Sequence, residues 1–219
     1  MAGKCNIVTG GGSGIGLGIA ESLARLGSNV VIASRNPERV AQAVEYLTPL
    51  SESGGKVIGL QCNIRDRDSC AKMVSDTLAE FGRLDGLVNN GGGQFHSAAE
   101  NITQNGFHAV VDTNLYGTWN CINEAFHQYM KENGGRIVNI VTINRMGMAG
   151  MAHSGAARAA VKNLSQSLGA EWGKYNVVIN NVAPGTIYSA TAQVLYMIYS
   201  NDGSLWDSFM FLQPVPEGR

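Results

Sequence analysis

No apolar run in this 219-residue chain reaches the roughly 18 residues that a membrane-spanning helix needs, and the opening MAGKC holds no hydrophobic signal region. A soluble protein with no membrane partner is expected. Neither sign of charge dominates, since 16 basic residues face 17 acidic ones for a formal net charge of −1. Such a balance gives nucleic acid nothing to bind through charge and steers no ligand over long range. Cysteine is confined to Cys5, Cys62, Cys70 and Cys121, far apart and without CxxC or Cys/His spacing. Reduced thiols and no metal site follow. Proline is also sparse, at five residues, and no Pro- or Ser-rich linker divides the chain. A single domain with a sizeable core suits this length.

Glycine is abundant. Many of the 28 glycines sit at the ends of apolar runs, where ligand loops form, so the excess is local and not low complexity. The runs themselves, CNIVT, NVVIAS, KVIGLQ, LDGLVNN, RIVNIV and VVINNVAP, alternate with longer segments of helical periodicity. Near-continuous apolarity in each predicts strands covered on both faces, hence six strands in a doubly wound parallel α/β sheet. Right-handed crossovers collect the loops after these strands on one edge, where ligands bind.

The first such loop reads TGGGSGIG and joins a strand to a helix. Glycines permit a sharp bend and close approach, and the helix that starts there offers unpaired N–H groups. Gly10, Gly12, Ser13, Gly14, Ile15 and Gly16 are therefore read as a phosphate cradle for a dinucleotide, although the string is TGxxxGxG and not a literal GxGxxG. The second run ends about 20 residues later, where the group that reads the adenosine ribose belongs. Ser34 and Arg35 stand there, with no acidic residue to repel a 2′-phosphate. NADPH is the expected cofactor.

TGGGSGIG, the NNGG beginning at Asn89, TNLYG around Asn114, NIVT ending at Thr142 and PGTIYS from Pro184 together resemble the short-chain dehydrogenase/reductase family. The resemblance covers nearly the whole chain and implies a Rossmann-type doubly wound parallel sheet with helices on both faces. More narrowly, NNGGGQF, HSGAARAAVKNL and APGTIYS resemble the peroxisomal trans-2-enoyl-CoA reductases, with dienoyl-CoA reductases as near relatives. This implies an acyl-CoA substrate in fatty acid metabolism, NADPH as hydride donor to the β-carbon, a homo-oligomer (dimer or tetramer) and a peroxisomal location. Reduction of 2,4-dienoyl-CoA or of a 3-ketoacyl group is the alternative within the family. A non-catalytic NADP(H)-binding protein is the alternative outside it.

The family's Tyr-x-x-x-Lys signature is absent, because no Tyr here is followed by Lys at the fourth position. Ser154 and Arg158 fall at those two positions, on one face of a helix. A ketone needs a proton at oxygen in the transition state, whereas an enolate needs chiefly hydrogen-bond donors. Thr142 and Ser154 are expected as those donors, although Ser154 equally suits a helix N-cap. Arg158 is the expected anchor of the nicotinamide ribose, with Lys162 one turn beyond as the other candidate. The resemblance assigns Asn114 to hold a water or a backbone carbonyl beside the hydroxyls. It also gives Asn63 to the adenine, Ile64 to the cofactor site, the backbone of Asn90, Gly91 and Gly92 to the adenosine ribose, and Pro184, Gly185, Ile187 and Ser189 to the carboxamide. The proton for the α-carbon comes from water or Tyr188, and His153 is read as packed or capping.

Arg145, Met146, Met148 and Met151 suit a pliable acyl-chain pocket or the core equally. The segment 187–219, rich in aromatic residues such as Tyr188, Tyr196, Trp206 and Phe211, reads as a substrate lid or a subunit contact. Relatives continue beyond such a segment with a further helix and strand, so a shortened C-terminus is expected, along with the loss of any peroxisomal address there.

Overall fold

β1 (Cys5–Thr9) is buried along its whole length, as befits a central strand flanked on both sides. The computed structural model describes residues 1–51, 54–144, 146–185 and 187. The chain divides into a unit Met1–Gly185, whose fold follows, and a second unit Thr186–Arg219. Expectations placed on Arg145, Tyr188, Ser189 and the rest of the proposed lid lie outside the described residues.

The six expected strands are present: β1, β2 (Asn29–Ser34), β3 (Val57–Gln61), β4 (Gly86–Asn89), β5 (Gly135–Ile140) and β6 (Val177–Val182). They form one parallel sheet in the order β3-β2-β1-β4-β5-β6. The order reverses between β1 and β4, which opens a crevice at their C-terminal ends. α1 (Gly14–Arg25) and α2 (Pro37–Leu47) bury Ala20, Ala24, Ala43 and Leu47 against Val8, Val30 and Ile32 on one face. The alternate residues Ile7, Val31 and Ala33 point to the other face. There they meet Met73 and Val74 of α3 (Arg67–Phe81), Ile122 of α5 (Gly117–Ala125) and Leu168 of α7 (Ala152–Trp172).

Continuous burial was expected in every strand; β5 interrupts it with the exposed Arg136, and β3 and β6 depart furthest. β3 and β6 alternate between buried and more exposed residues, and Val178 is 42% exposed. Both lie at the margins of the described sheet, where one flank has no neighbouring strand. Among the described residues no helix is long and apolar enough to cross a membrane.

Two further features position the site. α4 (Gln104–Val111) runs through a π-helical turn, Asp112–Tyr116, into α5, and through a second, Phe126–Met130, into α6 (Lys131–Asn133). Such turns re-aim side chains and leave backbone groups to be satisfied. Here the Thr118 hydroxyl donates to the Asn114 carbonyl at 2.8 Å. The second feature is a polar row in register across four strands, Thr9 beside Asn89, Asn139 and Asn181. Asn89 Nδ2 donates to Asn139 Oδ1 at 2.8 Å, Asn139 Nδ2 to Ser165 Oγ at 2.9 Å, and Ser165 Oγ to Asn181 Oδ1 at 2.8 Å. The row ties α7 to the C-terminal ends of β4, β5 and β6.

Candidate active site

The glycine loop follows β1, and its shape explains the residues in it. Gly10 has φ +65°, a left-handed conformation that favours glycine. A β-carbon on Gly16 would overlap Asn90 Nδ2 and the Gly10 carbonyl, so α1 starts in contact with the loop after β4. That loop is fastened in turn. Asn90 Nδ2 donates to the carbonyls of Thr9 and Gly10 at 3.1 and 3.2 Å, while Thr9 Oγ1 accepts from the N–H groups of Asn90 and Gly91. Ser13 occupies the N-cap in an extended conformation, and its hydroxyl makes no capping bond. The first-turn amides of α1 are thus left without a side-chain acceptor, in a cradle that β-carbons would fill. The geometry fits a pyrophosphate at the dipole's positive end.

Ser34 ends β2, and the exposed Arg35 follows it. Asn36 caps α2 by accepting from the Arg39 N–H at 3.0 Å, which brings a second exposed arginine to the loop. A β-carbon on Gly12 would stand 3.5 Å from Arg39 Cβ. Neither arginine belongs to an ion pair among the described residues. Arg39 was not picked out in the sequence, although the four-residue spacing from Arg35 and the capping motif between them carried the signal. Asn63 accepts from the Arg65 N–H at 3.3 Å, so its amide oxygen is partly engaged by its own turn. Ile64 is buried, and its Cδ1 would lie 3.1 Å from a β-carbon on Gly91.

Beyond Gly91 the chain lies along α7. Asn114, in the first π turn and fully buried, pins it by a reciprocal amide pair. Its Nδ2 donates to the Gly93 carbonyl at 2.7 Å, and its Oδ1 accepts from the Gly93 N–H at 3.2 Å. A third bond, Nδ2 to the Val110 carbonyl at 3.0 Å, holds the amide in place. On one side of this pin Gly92 faces Arg158, whose Nη2 a β-carbon would overlap. On the other side Ser154 Oγ donates to Gln94 Oε1 at 2.8 Å. Two extended residues advance about 7 Å and four helical residues about 6 Å. Loop and helix, running in opposite directions, therefore stay in step from Gly92 and Arg158 to Gln94 and Ser154.

Arg158 also donates from Nη1 to the Ile140 carbonyl at the end of β5, at 2.7 Å. Burial pushes its guanidinium down to about 10, which leaves it cationic at neutral pH, with no carboxylate beside it among the described residues. Lys162, the other candidate, is exposed one turn further on. Ser154 is fully buried and is not the helix cap, a position held by Met151. Its only hydroxyl proton is committed to Gln94. Thr142, partly buried two residues past β5, has no side-chain hydrogen bond among the described residues.

His153 is buried, as expected of a packed residue. Its ring lies edge-on to Phe95 at 4.4 Å, and Nδ1 accepts from the Ser154 N–H at 3.0 Å. Pro184, Gly185 and Ile187 follow β6, partly or fully exposed. A cavity of about 430 Å³ lies between Met146, Met148 and neighbours and the Ala152, Ala156 and Ala159 stripe of α7. By helical periodicity this stripe is on the face of α7 opposite Ser154 and Arg158. The Met-rich loop thus lines a space on the far side of the helix from the expected reacting groups.

Comparison with known proteins agrees with this architecture. The family model described as short chain dehydrogenase matches residues 4–196. The peroxisomal 2,4-dienoyl-CoA reductase [(3E)-enoyl-CoA-producing] of Danio rerio is 40% identical over 181 residues, covering 82% of this chain and 60% of that protein. A 3-oxoacyl-[acyl-carrier-protein] reductase of Staphylococcus aureus is 33% identical over 193 residues, covering 88% of this chain and 78% of the other. Among solved structures, a polyketide ketoreductase with NADPH superposes with a TM-score of 0.85 at 29% identity, over 92% of this chain and 78% of that one. The chain spans about 60% of the length of the Danio rerio relative. The narrower likeness expected, to trans-2-enoyl-CoA reductases, gives way to one with 2,4-dienoyl-CoA reductases. On the family match and these identities, this chain belongs to the short-chain dehydrogenase family.

Proposed function

We propose that this chain is an NADPH-dependent reductase of conjugated acyl thioesters, with 2,4-dienoyl-CoA as the preferred class and trans-2-enoyl-CoA as a lesser substrate. The observation that carries the reading is the pairing on α7. A serine bonded to an amide, and an arginine without a carboxylate, stand where a ketone reductase of this family would have Tyr and Lys. Such a set offers hydrogen bonds and positive charge, but no group that releases a proton near neutral pH. That suits a developing enolate and disfavours an alkoxide. The relatives that act on dienoyl thioesters support the substrate class.

The first-turn amides of α1 would hold the pyrophosphate, with Ser34, Arg35 and Arg39 meeting the 2′-phosphate and Asn63 and Ile64 the adenine. Asn90, Gly91 and Gly92 would pass along the adenosine ribose, while Pro184 and Gly185 would meet the carboxamide. When bound, NADPH supplies a hydride to the δ-carbon of the diene. The electron pair then moves through the conjugated system to the thioester oxygen, a proton from water adds at the α-carbon, and a 3-enoyl thioester results. Arg158 holds its charge beside the ribose, Asn114 fixes the loop that carries Gly92 and Gln94, and Thr142 presents a free hydroxyl.

The test is NADPH oxidation with 2,4-hexadienoyl-CoA, crotonyl-CoA and acetoacetyl-CoA in parallel. The expected order is diene above monoene, with little ketone reduction. Fastest turnover of acetoacetyl-CoA would overturn the reading. Tight NADPH binding with no turnover of any thioester would indicate a non-catalytic binding protein.

A further inference from the structure

The turn that follows β3 is fastened in two ways. Within it the Asp66 N–H donates to the Asn63 carbonyl at 2.9 Å, and the Asn63 N–H donates to Ser69 Oγ of α3 at 3.0 Å. Those bonds close the turn on the helix it leads into. The Ile64 carbonyl accepts twice more, from Cys70 Sγ at 3.5 Å and from Asn120 Nδ2 of α5 at 3.0 Å, so both of its lone pairs are taken. Asn120 lies 56 residues further along the chain, and among the described residues it is the only side chain beyond α3 that bonds residues 63–66. Gly117, Asn120 and Cys121 share one face of α5. The Ile64 side chain, 9% exposed, lies where a β-carbon on Gly117 would be, and Cys121 Sγ stands 3.7 Å from Cys70 Sγ. That one face therefore seats the Ile64 side chain, holds its carbonyl and packs on α3 behind it. The helix that supplies Asn120 continues directly from the π turn that supplies Asn114. A single helical rod thus carries a pin for each of two loops at the crevice, Asn114 for Gly93 and Asn120 for Ile64.

We propose that Asn120 is a positioning residue for the adenine end of the cofactor, acting through the Ile64 carbonyl on the turn that carries Asn63. The assignment rests on the NADPH reading above, and on no choice of thioester. Asn63 Oδ1 is already engaged by the Arg65 N–H at 3.3 Å, so its amide has little freedom to adjust to a base and the turn must be set from behind. Asn120 does this without touching the nucleotide. Its bond fixes the turn against α5, and the missing side chain of Gly117 lets the two come close enough for that bond to form.

The test uses Asn120→Asp and Asn120→Ala in the full chain. Aspartate keeps the size of the side chain but replaces the donor with an oxygen that repels the Ile64 carbonyl, whereas alanine removes the bond alone. Calorimetry gives the affinity for NADPH and for adenosine 2′,5′-bisphosphate, which has the adenine end and no nicotinamide. The fluorescence emission maximum of NADPH at saturation reports on the nicotinamide end. Both variants should bind both ligands more weakly by the same factor, about tenfold, as expected for one lost hydrogen bond. The emission maximum should stay where it is. A general loosening of α5 would reach Asn114 on the same rod and disturb the nicotinamide end too, so a shifted maximum would overturn the assignment. Unchanged affinity for the bisphosphate in both variants would also overturn it, and would leave the cofactor reading standing. A wild-type protein that binds neither ligand would sink the cofactor reading, and the role of Asn120 with it.

Discussion

Gly92 and Arg158 share one space: the guanidinium Nη2 lies where a β-carbon on residue 92 would be. Gly92→Ala, whose β-carbon would also overlap Asn114 Oδ1, is expected to push the guanidinium from its bond to the Ile140 carbonyl and to lower kcat/KM about 10²-fold, the usual result of a misplacement near 1 Å. Arg158→Lys in the same chain, with a slimmer head group, should recover part of the loss. Steady-state kinetics of the two variants would decide it, and full activity in Gly92→Ala would mean that the positions of the guanidinium and of the Asn114 amide do not matter.

The pair Arg35 and Arg39 flanks the cap of α2 beside Gly12. Replacing either by Ala should weaken NADPH binding about tenfold, the loss of one charge-assisted contact, while NADH affinity stays level. Titration of both nucleotides against both variants measures this. Equal losses for NADH would place the arginines away from the 2′-phosphate.

Asn139 is bonded to Asn89 on one side and Ser165 on the other, all three buried. Asn139→Ala removes both bonds and strands a buried amide, at a cost of about 2 kcal/mol. A urea unfolding midpoint that falls, with an unchanged slope, is the expected signature. An unmoved midpoint would show that water replaces the missing amide without loss.

Asp85 sits just ahead of β4 and ties three elements together. Burial alone would raise its pKa. The Arg83 fork, the Cys5 N–H and Lys4 outweigh this and hold the carboxyl down at about 2. A folded-state pKa below the unfolded value of 3.8 means that the stabilisation is complete above that value and is lost as pH falls toward 2. Screened by solvent, it amounts to about 1 kcal/mol. Asp85→Asn should therefore be less stable than wild type at pH 6 and about equal near pH 2, by thermal unfolding at both. A constant gap across that range would assign the effect to packing.

Much of this was legible in the chain, and the reasons are physical. Six β-branched runs announced six strands because burial on both faces leaves few polar residues to confuse the period. TGGGSGIG announced the cradle because backbone contacts exclude side chains there, and the missing Tyr-x-x-x-Lys turned attention to Ser154 and Arg158. The partners of these residues were not legible. Gln94 meets α7 across 60 residues of chain, and Asn114 meets the loop at Gly93 across 21 residues, from a π turn that no local pattern marks. The commitment of the Ser154 proton, the closeness of Arg39 to Gly12 and the polar row from Thr9 to Asn181 arise only when separate strands and helices come side by side.

The agreement in pitch between the loop after β4 and α7 also limits how such a protein can change. One residue inserted between Gly92 and Gln94 would break the match with the helix and slide a different side chain over Ser154, so the length of this loop is frozen. New substrate preferences at this end of the molecule must come by exchanging side chains in place.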